Sequence, residues 1–428
     1  MMKMTQDKTK QLAVNGGNPA LTHPLPPMFP GGMRIDEDEE AAVLEVLRAR
    51  RLFRYYGPNP GPSKAAELES AFAAHLGTRF ALGVTSGTAA LLCSLAGLGI
   101  GPGDEVIVPA YTWIATASAV VHLGAVPVLA EIDDSLTLDP EDVRAKVSPY
   151  TRAVIPVHMR GLPCKMDKIM AVAREHGLKV LEDTAQANGV SFQGRRLGSI
   201  GDVGAFSLQF NKIITSGEGG MVATQNQEIF ERAVMYHDVI GGQRNQIPEE
   251  RILPGINFRM PELVAAVALV QLKRLDSLLE AMRARKRMLA ENLAGLARQK
   301  GVKFPAMNDP QGEAGLCLIF LLPEADLAQR VSQALRAEGL GNWLLYHPEA
   351  TDYHVYAHWS PILNQRTWSP KAGPWKDHPR QVVYQREMCP RTLDLLGRAV
   401  HLDVSPELTN THIEEMCEAV EKVFNALL

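Results

Sequence analysis

Nowhere in the 428-residue chain is there the uninterrupted run of about 20 apolar residues that a membrane-crossing helix needs. The N-terminus, MMKMTQDKTKQLAVNGG, carries lysines but lacks the apolar core of a signal peptide. Cytoplasmic location, with no membrane partner, is the expectation that follows. Cysteine is scarce: Cys93, Cys164, Cys317, Cys389 and Cys417 form no CxxC pair, and an odd number argues against a disulfide framework. They are expected to be reduced. An excess of positive charge is also missing, because 44 Lys and Arg stand against 48 Asp and Glu, a net charge of −4. That balance points away from nucleic acid and anionic membranes. No GxGxxG follows the first predicted strand, which counts against a nicotinamide-dependent oxidoreductase. No helix-turn-helix or basic extension offers an output module, which counts against a noncatalytic ligand sensor. What the chain does have is 46% hydrophobic content, enough for a large core, and the expectation is a soluble small-molecule enzyme with one large domain and a smaller one.

The stretch that organises the rest runs from Val203 to Thr224, VGAFSLQFNKIITSGEGGMVAT. Val203 to Leu208 and Met221 to Thr224 read as short buried strands, and the polar, glycine-rich link between them holds a single lysine, Lys212. Burial strips water from an ammonium group, lowers its pKa and frees a neutral amine to form an imine with an aldehyde. That is pyridoxal phosphate chemistry. A lysine taken alone is more often a solvated loop residue, so Lys212 is judged with its companions.

Along the chain, residues 1–35 are rich in Pro and Gly and read as a surface arm. Asp36 is placed to cap an acidic first turn, DEDEE, of a helix reaching about Arg50. The loop Leu52 to Ser63 carries Arg54, Tyr55 and Tyr56, which can either reach a ligand or pack a crossing loop. A helix from Lys64 leads to a strand, Phe80 to Thr85, and Ser86-Gly87-Thr88 then opens a helix of small residues. A strand, a tight turn and a helix N-terminus present unpaired N–H groups to a phosphate, with Gly87 allowing close approach and Thr88 adding a hydroxyl. Many such turns merely cap a helix. Further strands are expected at Glu105 to Val108, Val126 to Ala130, Ala153 to Val157 and Lys179 to Glu182, with helices from about Thr112 to Leu123, Pro140 to Lys146 and Asp167 to His176. Alternation at this spacing implies an α/β fold with a mostly parallel central sheet flanked by helices, whose ligands bind at the C-terminal strand ends.

Several residues fall at those ends. Trp113 can stack on a planar heterocycle or pack in a core or interface. Asp183, directly after KVLE, can pair with a protonated ring nitrogen or cap a helix. Gln186 lies about one helical turn further on and can meet the phenolic oxygen, whereas Glu182 reads as structural. Ser207, five positions before Lys212, can reach a phosphate while the lysine reaches the aldehyde, or simply bond local backbone.

In order, the chain presents SGT, WI, EDTAQA, SLQFNK and SGEGG, and longer stretches accompany them: LAVNGGNPA, GDEVIVPAYTWIATASAV, VHMRGLPCKMD, GDVGAFSLQFNKIITSGEGG and GINFRMPELVAAVALVQLKRLD. Together these resemble the DegT/DnrJ/StrS family of pyridoxal-phosphate-dependent sugar and cyclitol aminotransferases, over nearly the whole chain. The resemblance implies a fold-type-I transferase with a smaller C-terminal α+β domain and pyridoxal 5′-phosphate held as an internal aldimine on Lys212. Lys212 would move the proton, Asp183 would hold the pyridinium, and Gly87, Thr88 and Ser207 would bind phosphate. Trp113 would stack on the ring and Gln186 would lie beside its phenolic oxygen. Asn257, in GINFRM, would reach the phosphate of a neighbouring subunit, implying a homodimer with shared sites. Trp113, Asn188 and Asn211 depart from the residues more frequent in the family.

Helical pattern from Pro261 to about Gln299 suggests a connector to the small domain, with RARKRM as a solvated face. The division expected is an arm at 1–35, a large cofactor domain at 36–260, a connecting helix at 261–300 and a small domain at 301–428. The irregular stretch from Asn342 to Met388 holds His347, His354 and His358 without carboxylate or cysteine ligand spacing, so no metal site is expected there. It reads instead as a pocket wall for a polyhydroxylated substrate. The activity expected is ping-pong transfer from L-glutamate or L-glutamine to a keto sugar or cyclitol. LAVNGGNP resembles aminocyclitol enzymes, while FRYY, VHM and GDVGAFS also resemble an 8-amino-octulosonate transaminase, and a nucleotide-linked keto sugar is a third acceptor. Lys212 itself counts against a dehydratase on the same scaffold, whose relatives carry histidine there.

Overall fold

The computed structural model describes residues 11–59, 61–369 and 373–428. Residues 1–10 of the expected arm, Pro60 of the Leu52 to Ser63 loop and residues 370–372 of the irregular stretch lie outside the described residues.

Short apolar runs form the strands, and small polar residues end them. The strands are β1 (Phe80–Val84), β2 (Glu105–Pro109), β3 (Val126–Ala130), β4 (Thr151–Val154), β5 (Lys179–Asp183), the hairpin strands β6 (Ser191–Phe192) and β7 (Arg195–Arg196), β8 (Val203–Ser207), β9 (Gly220–Thr224), β10 (Cys317–Leu321), β11 (Trp343–Leu344) and β12 (Ala399–Asp403). Seven of them form one sheet in the order β1-β9-β8-β5-β4-β2-β3, and every strand except β9 runs the same way. β2 and β3 are buried at every residue, as expected of parallel strands covered on both faces. Alternate side chains enter separate cores: Val106 and Val108 join one cluster, Ile107 the other. The mostly parallel α/β sheet read from the sequence is therefore present.

Two boundaries differ from expectation for identifiable reasons. The helix expected from Thr112 begins at Ala115, because the Thr112 and Ile114 amides donate to the carbonyls of His354 and Tyr353, each at 2.9 Å. The strand expected to reach Val157 ends at Val154, since Pro156 has no N–H for the ladder. A single bridge, Val157 to Asp183, resumes the pairing.

β10, β12 and β11 form a second, antiparallel sheet. Leu318 and Phe320 face a cluster that includes Val420 and Phe424, while Cys317 and Ile319 face the core of the large sheet. The helix Glu262–Gln299 joins the two parts; its 38 residues give about 57 Å at the α-helical rise. Its first half buries Leu275, Leu279 and Met282 under the large sheet, and its second half buries Leu289 and Leu293 in the small cluster. RARKRM is not a solvated face: Arg283 donates to the carbonyls of Gly312 and Glu313, and Lys286 pairs with Glu313 at 2.6 Å. These basic side chains tie the helix to the loop before β10.

Candidate active site

The C-terminal ends of β1, β2, β4, β5 and β8 share one edge of the sheet, and a cavity of about 1110 Å³ opens there. Gly87, Thr88, Trp113, Asp183, Gln186, Ser207 and Lys212 all line it.

The anion-binding corner is built by backbone. Ser86, extended at φ −166° and ψ 166°, caps the helix Gly87–Leu98 by accepting the Ala89 N–H at 3.0 Å. A Cβ at position 87 would lie 2.7 Å from the Ser207 Cβ, so glycine is what lets the helix N-terminus meet the end of β8. The free N–H groups of that first turn, the Thr88 hydroxyl and the Ser207 hydroxyl then face the same space.

Asp183 closes β5 and is only 4% exposed. Burial pushes its carboxyl above the usual range, opposed by hydrogen bonds from the Thr116 hydroxyl at 2.8 Å and the Ala185 N–H at 3.1 Å, and by the Lys212 charge. No helix follows, so helix capping is not its role. Gln186 reaches the cavity through a series of turns rather than along a helix, and its side-chain oxygen accepts the Arg160 N–H at 3.0 Å. Lys212 sits in the turn between β8 and β9. Burial lowers the pKa of its amine; the Asp183 carboxylate opposes the shift and the Arg160 cation adds to it. An amine beside a buried carboxylate and an anion corner can hold an aldehyde-bearing phosphate compound at three points.

Glu182, the neighbour of Asp183, points away into the protein. Its carboxylate accepts the N–H groups of Gly198, Ile200 and Gly201 at 2.9, 2.6 and 2.7 Å and contacts His158 Nε2 at 3.2 Å, and neither side chain has any exposure. This is the structural role expected of it. Trp113 is 47% exposed, so it is not a core residue; its indole lies against His354, with ring centroids 4.9 Å apart.

The outer wall joins part of the irregular stretch read as a pocket wall, with His347 and His354, to residues that the sequence reading did not single out. His354 Nδ1 contacts Asp352 at 2.8 Å, and His401 Nε2 contacts Asp403 at 2.9 Å; all four line the cavity. Burial lowers the pKa of His354 and of His401, which keeps both imidazoles neutral. The β12 pair gave no signal, because His401 and Asp403 belong to a strand not foreseen. Arg160 lies within VHMRG, a cation straight after a strand end, and that position was the available signal. His347 also lines the cavity, whereas His358 is turned inward, its Nδ1 accepting the Asp352 N–H at 3.0 Å. Among the described residues, no three His, Cys, Asp or Glu stand together as a metal site.

Two groups lie elsewhere. Arg54 pairs with Glu69, Tyr55 packs under the Arg244 guanidinium at 4.2 Å, and Tyr56 is exposed, so this loop packs and does not reach the cavity. Asn257 is exposed outside the cavity, its side-chain oxygen accepting the Arg259 N–H at 3.3 Å.

Comparison with known proteins bears on the family and the fold. Residues 33–369 match the family described as the DegT/DnrJ/EryC1/StrS aminotransferase family. The chain is 40% identical over 305 residues to the L-glutamine:2-deoxy-scyllo-inosose aminotransferase of Streptoalloteichus tenebrarius, covering 68% of this chain and 69% of that one. It is 42% identical over 278 residues to the GDP-perosamine synthase of Caulobacter vibrioides, covering 64% and 71%. The crystal structure of 3-amino-5-hydroxybenzoic acid synthase superposes with a TM-score of 0.78 at 27% identity, covering 94% of this chain and 99% of that one.

Proposed function

The chain belongs to the DegT/DnrJ/EryC1/StrS aminotransferase family, and from that premise we propose that it moves an amino group from L-glutamine or L-glutamate to a keto group of a cyclitol or sugar. It is a pyridoxal-phosphate-dependent transaminase of amino-sugar or aminocyclitol biosynthesis. The observation that carries the assignment of roles is the convergence of Lys212, Asp183 and the Gly87–Ser207 corner on one cavity.

The residues present fit the cofactor. The first turn of the helix Gly87–Leu98, Thr88 and Ser207 would receive its phosphate, Asp183 would hold its ring nitrogen, Trp113 would cover one ring face, Gln186 would stand at its phenolic oxygen, and Lys212 would be the amine that holds its aldehyde carbon. When bound, pyridoxal phosphate supplies a sink for the electron pair left at the donor's α-carbon. Asp183, dry and fixed by Thr116 and Ala185, would keep the pyridinium protonated. Lys212, whose amine burial keeps readily neutral, takes the α-proton at its Nζ and returns a proton to the acceptor carbon in the second half of the cycle.

The acceptor is a polyhydroxylated ring or chain, because Asp352, His354, His401 and Asp403 offer polar atoms in a cavity that Trp113 and Trp343 also line. The likeness to the scyllo-inosose enzyme favours a cyclitol, with a nucleotide-linked keto sugar or an octulosonate precursor as the alternatives. Asn257, exposed beside Ile252, Leu253 and Ile256, serves the phosphate site of a second copy, which makes the working unit a homodimer in the cytoplasm. The chain divides into an arm (1–35), a large cofactor domain (36–260), a connecting helix (261–300) and a small domain (301–428).

A direct test is spectroscopic. Purified protein with pyridoxal phosphate is expected to show a visible absorption band that L-glutamine or L-glutamate bleaches, and a panel of keto cyclitols and keto sugars should restore it selectively. A protein that gains no such band would end this reading.

A further inference from the structure

On the aminotransfer reading, we infer that Arg160 receives the carboxylate of the amino-acid donor, so that one sequestered guanidinium aims the incoming amine at Lys212.

The backbone at Arg160 shows that the side chain is there at some expense. It adopts φ 53° and ψ 27°, a left-handed conformation that favours glycine, asparagine or aspartate over arginine. The turn is held in place on both sides. Gln186 accepts the Arg160 N–H at 3.0 Å, and the Gly161 carbonyl accepts the Ala314 N–H at 3.0 Å. Gly161 approaches Ala314 so closely that a Cβ there would lie 2.4 Å from the Ala314 methyl.

Among the described residues, the guanidinium has no carboxylate in contact with it, and its nearest polar neighbour is the Tyr111 hydroxyl. Arg160 forms no ion pair within 4 Å among the described residues, and its buried Nε has no hydrogen-bond partner. Arg54, Arg259 and Arg274, by contrast, each have a carboxylate partner. The acids around Arg160 are already engaged: Asp352 by His354, Asp403 by His401 and Trp343, Asp183 by Thr116 and Ala185. Tyr111, the neighbour that interacts with it most strongly, is a buried phenol whose pKa burial raises, so it offers a neutral hydroxyl. Asp352 and Asp403 favour the cation from a distance, but no carboxylate among the described residues touches it, which leaves its fork open to an anion that arrives with a ligand.

Position along the sheet edge identifies which anion. Phosphate is provided for at β1 and β8, and the order β8-β5-β4 places Asp183 in the middle and Arg160 beyond the end of β4. Two strand spacings, roughly 10 Å, therefore separate the Arg160 side from the phosphate corner. The cation is nonetheless near enough to lower the proton affinity of Lys212. Every amino-acid donor carries a carboxylate on the carbon whose proton Lys212 removes, and the planar fork of arginine matches a carboxylate with two parallel hydrogen bonds.

The test uses the cofactor-loaded enzyme and glutarate, a dicarboxylate without an amine. R160N suits the left-handed backbone and removes the charge, and R160K keeps the charge without the fork. Titration calorimetry is expected to show glutarate binding weakened about 10- to 100-fold in R160N, with R160K between it and the parent and uncharged glutaramide unaffected. In single half-reactions the donor KM should rise similarly while the acceptor KM stays within about twofold. Unchanged glutarate binding and donor KM in R160N would overturn the assignment, as would a loss confined to the acceptor half-reaction. Should R160N fail to keep its visible band, R160K decides by the donor KM alone, an unchanged value overturning it. A parent enzyme with no donor-bleached band would instead sink the aminotransfer reading itself.

Discussion

The inner and outer halves of the cavity are made in different ways. The inner half, with Gly87, Asp183, Ser207 and Lys212, sits on strand ends and the turns directly after them, so the regular sheet sets where each residue stands, with Thr116 added from a neighbouring helix to hold Asp183. The outer half, with Asp352, His354, His401 and Asp403, comes from an irregular stretch and from the small sheet, and only tertiary contacts bring it to the same space. The hydrogen bonds from Thr112 and Ile114 to the carbonyls of His354 and Tyr353 are the seam between the halves. Rigid strand ends suit chemistry that tolerates little misplacement. Irregular wall suits a substrate surface that can change without disturbing that chemistry.

The comparison breaks most sharply at Lys212. Lys212→Ala is expected to lower turnover on the order of 10⁴-fold while leaving the outer wall able to bind the acceptor, measured as kcat against acceptor affinity. Equal loss in both would mean that the halves are not separable. Asp183→Asn should cost about 10²- to 10³-fold in turnover, since the buried carboxylate proposed to face the cofactor ring is removed. The same variant gives a pH signature in the cofactor-free protein. Burial raises the Asp183 pKa above its unfolded value, so the stability it contributes is present below that unfolded value and lost as pH rises through the folded one. Denaturant titration at about pH 4 and pH 7 should therefore show the asparagine variant gaining on the parent at the higher pH.

Glu182 tests the frame behind the inner half. Glu182→Gln replaces an oxygen that accepts backbone N–H groups with an amide nitrogen that cannot, in a site with no exposure. A loss of about 2–3 kcal/mol in folding stability is expected, with the absorption band of the remaining folded protein unchanged. A normal stability would show that the loop at Gly198 to Gly201 is held by something else.

Legibility followed the same division. The parallel sheet, the helix N-terminus at Gly87 and the carboxylate at the end of β5 were readable because short apolar runs and small-residue turns are local signals. Arg160 was in plain view within VHMRG, but its meaning depends on what surrounds it in space, and absent partners cannot be read from a string. RARKRM misled for a related reason: a basic run on a helix looks solvated until a loop some 27 to 30 residues away supplies carbonyls and Glu313. The Leu52 to Ser63 loop left two readings open, and the partly buried Arg54 to Glu69 pair decided for packing.

The smallest expected effect is also the most discriminating for the outer wall. His354 is held by Asp352, lies against the Trp113 indole and is kept neutral by burial, so its free ring nitrogen can meet an acceptor hydroxyl without adding charge. His354→Ala removes one neutral hydrogen bond and part of an aromatic contact, worth together about 1–2 kcal/mol. The acceptor KM should rise roughly tenfold, with the donor half-reaction and the visible band unaltered. His354→Phe keeps the ring contact and loses only the hydrogen bond, so it should recover part of the loss. If the alanine variant instead slows the donor half-reaction, His354 acts on the inner chemistry through Trp113. The seam at Thr112 and Ile114 would then transmit position between the halves and not merely join them.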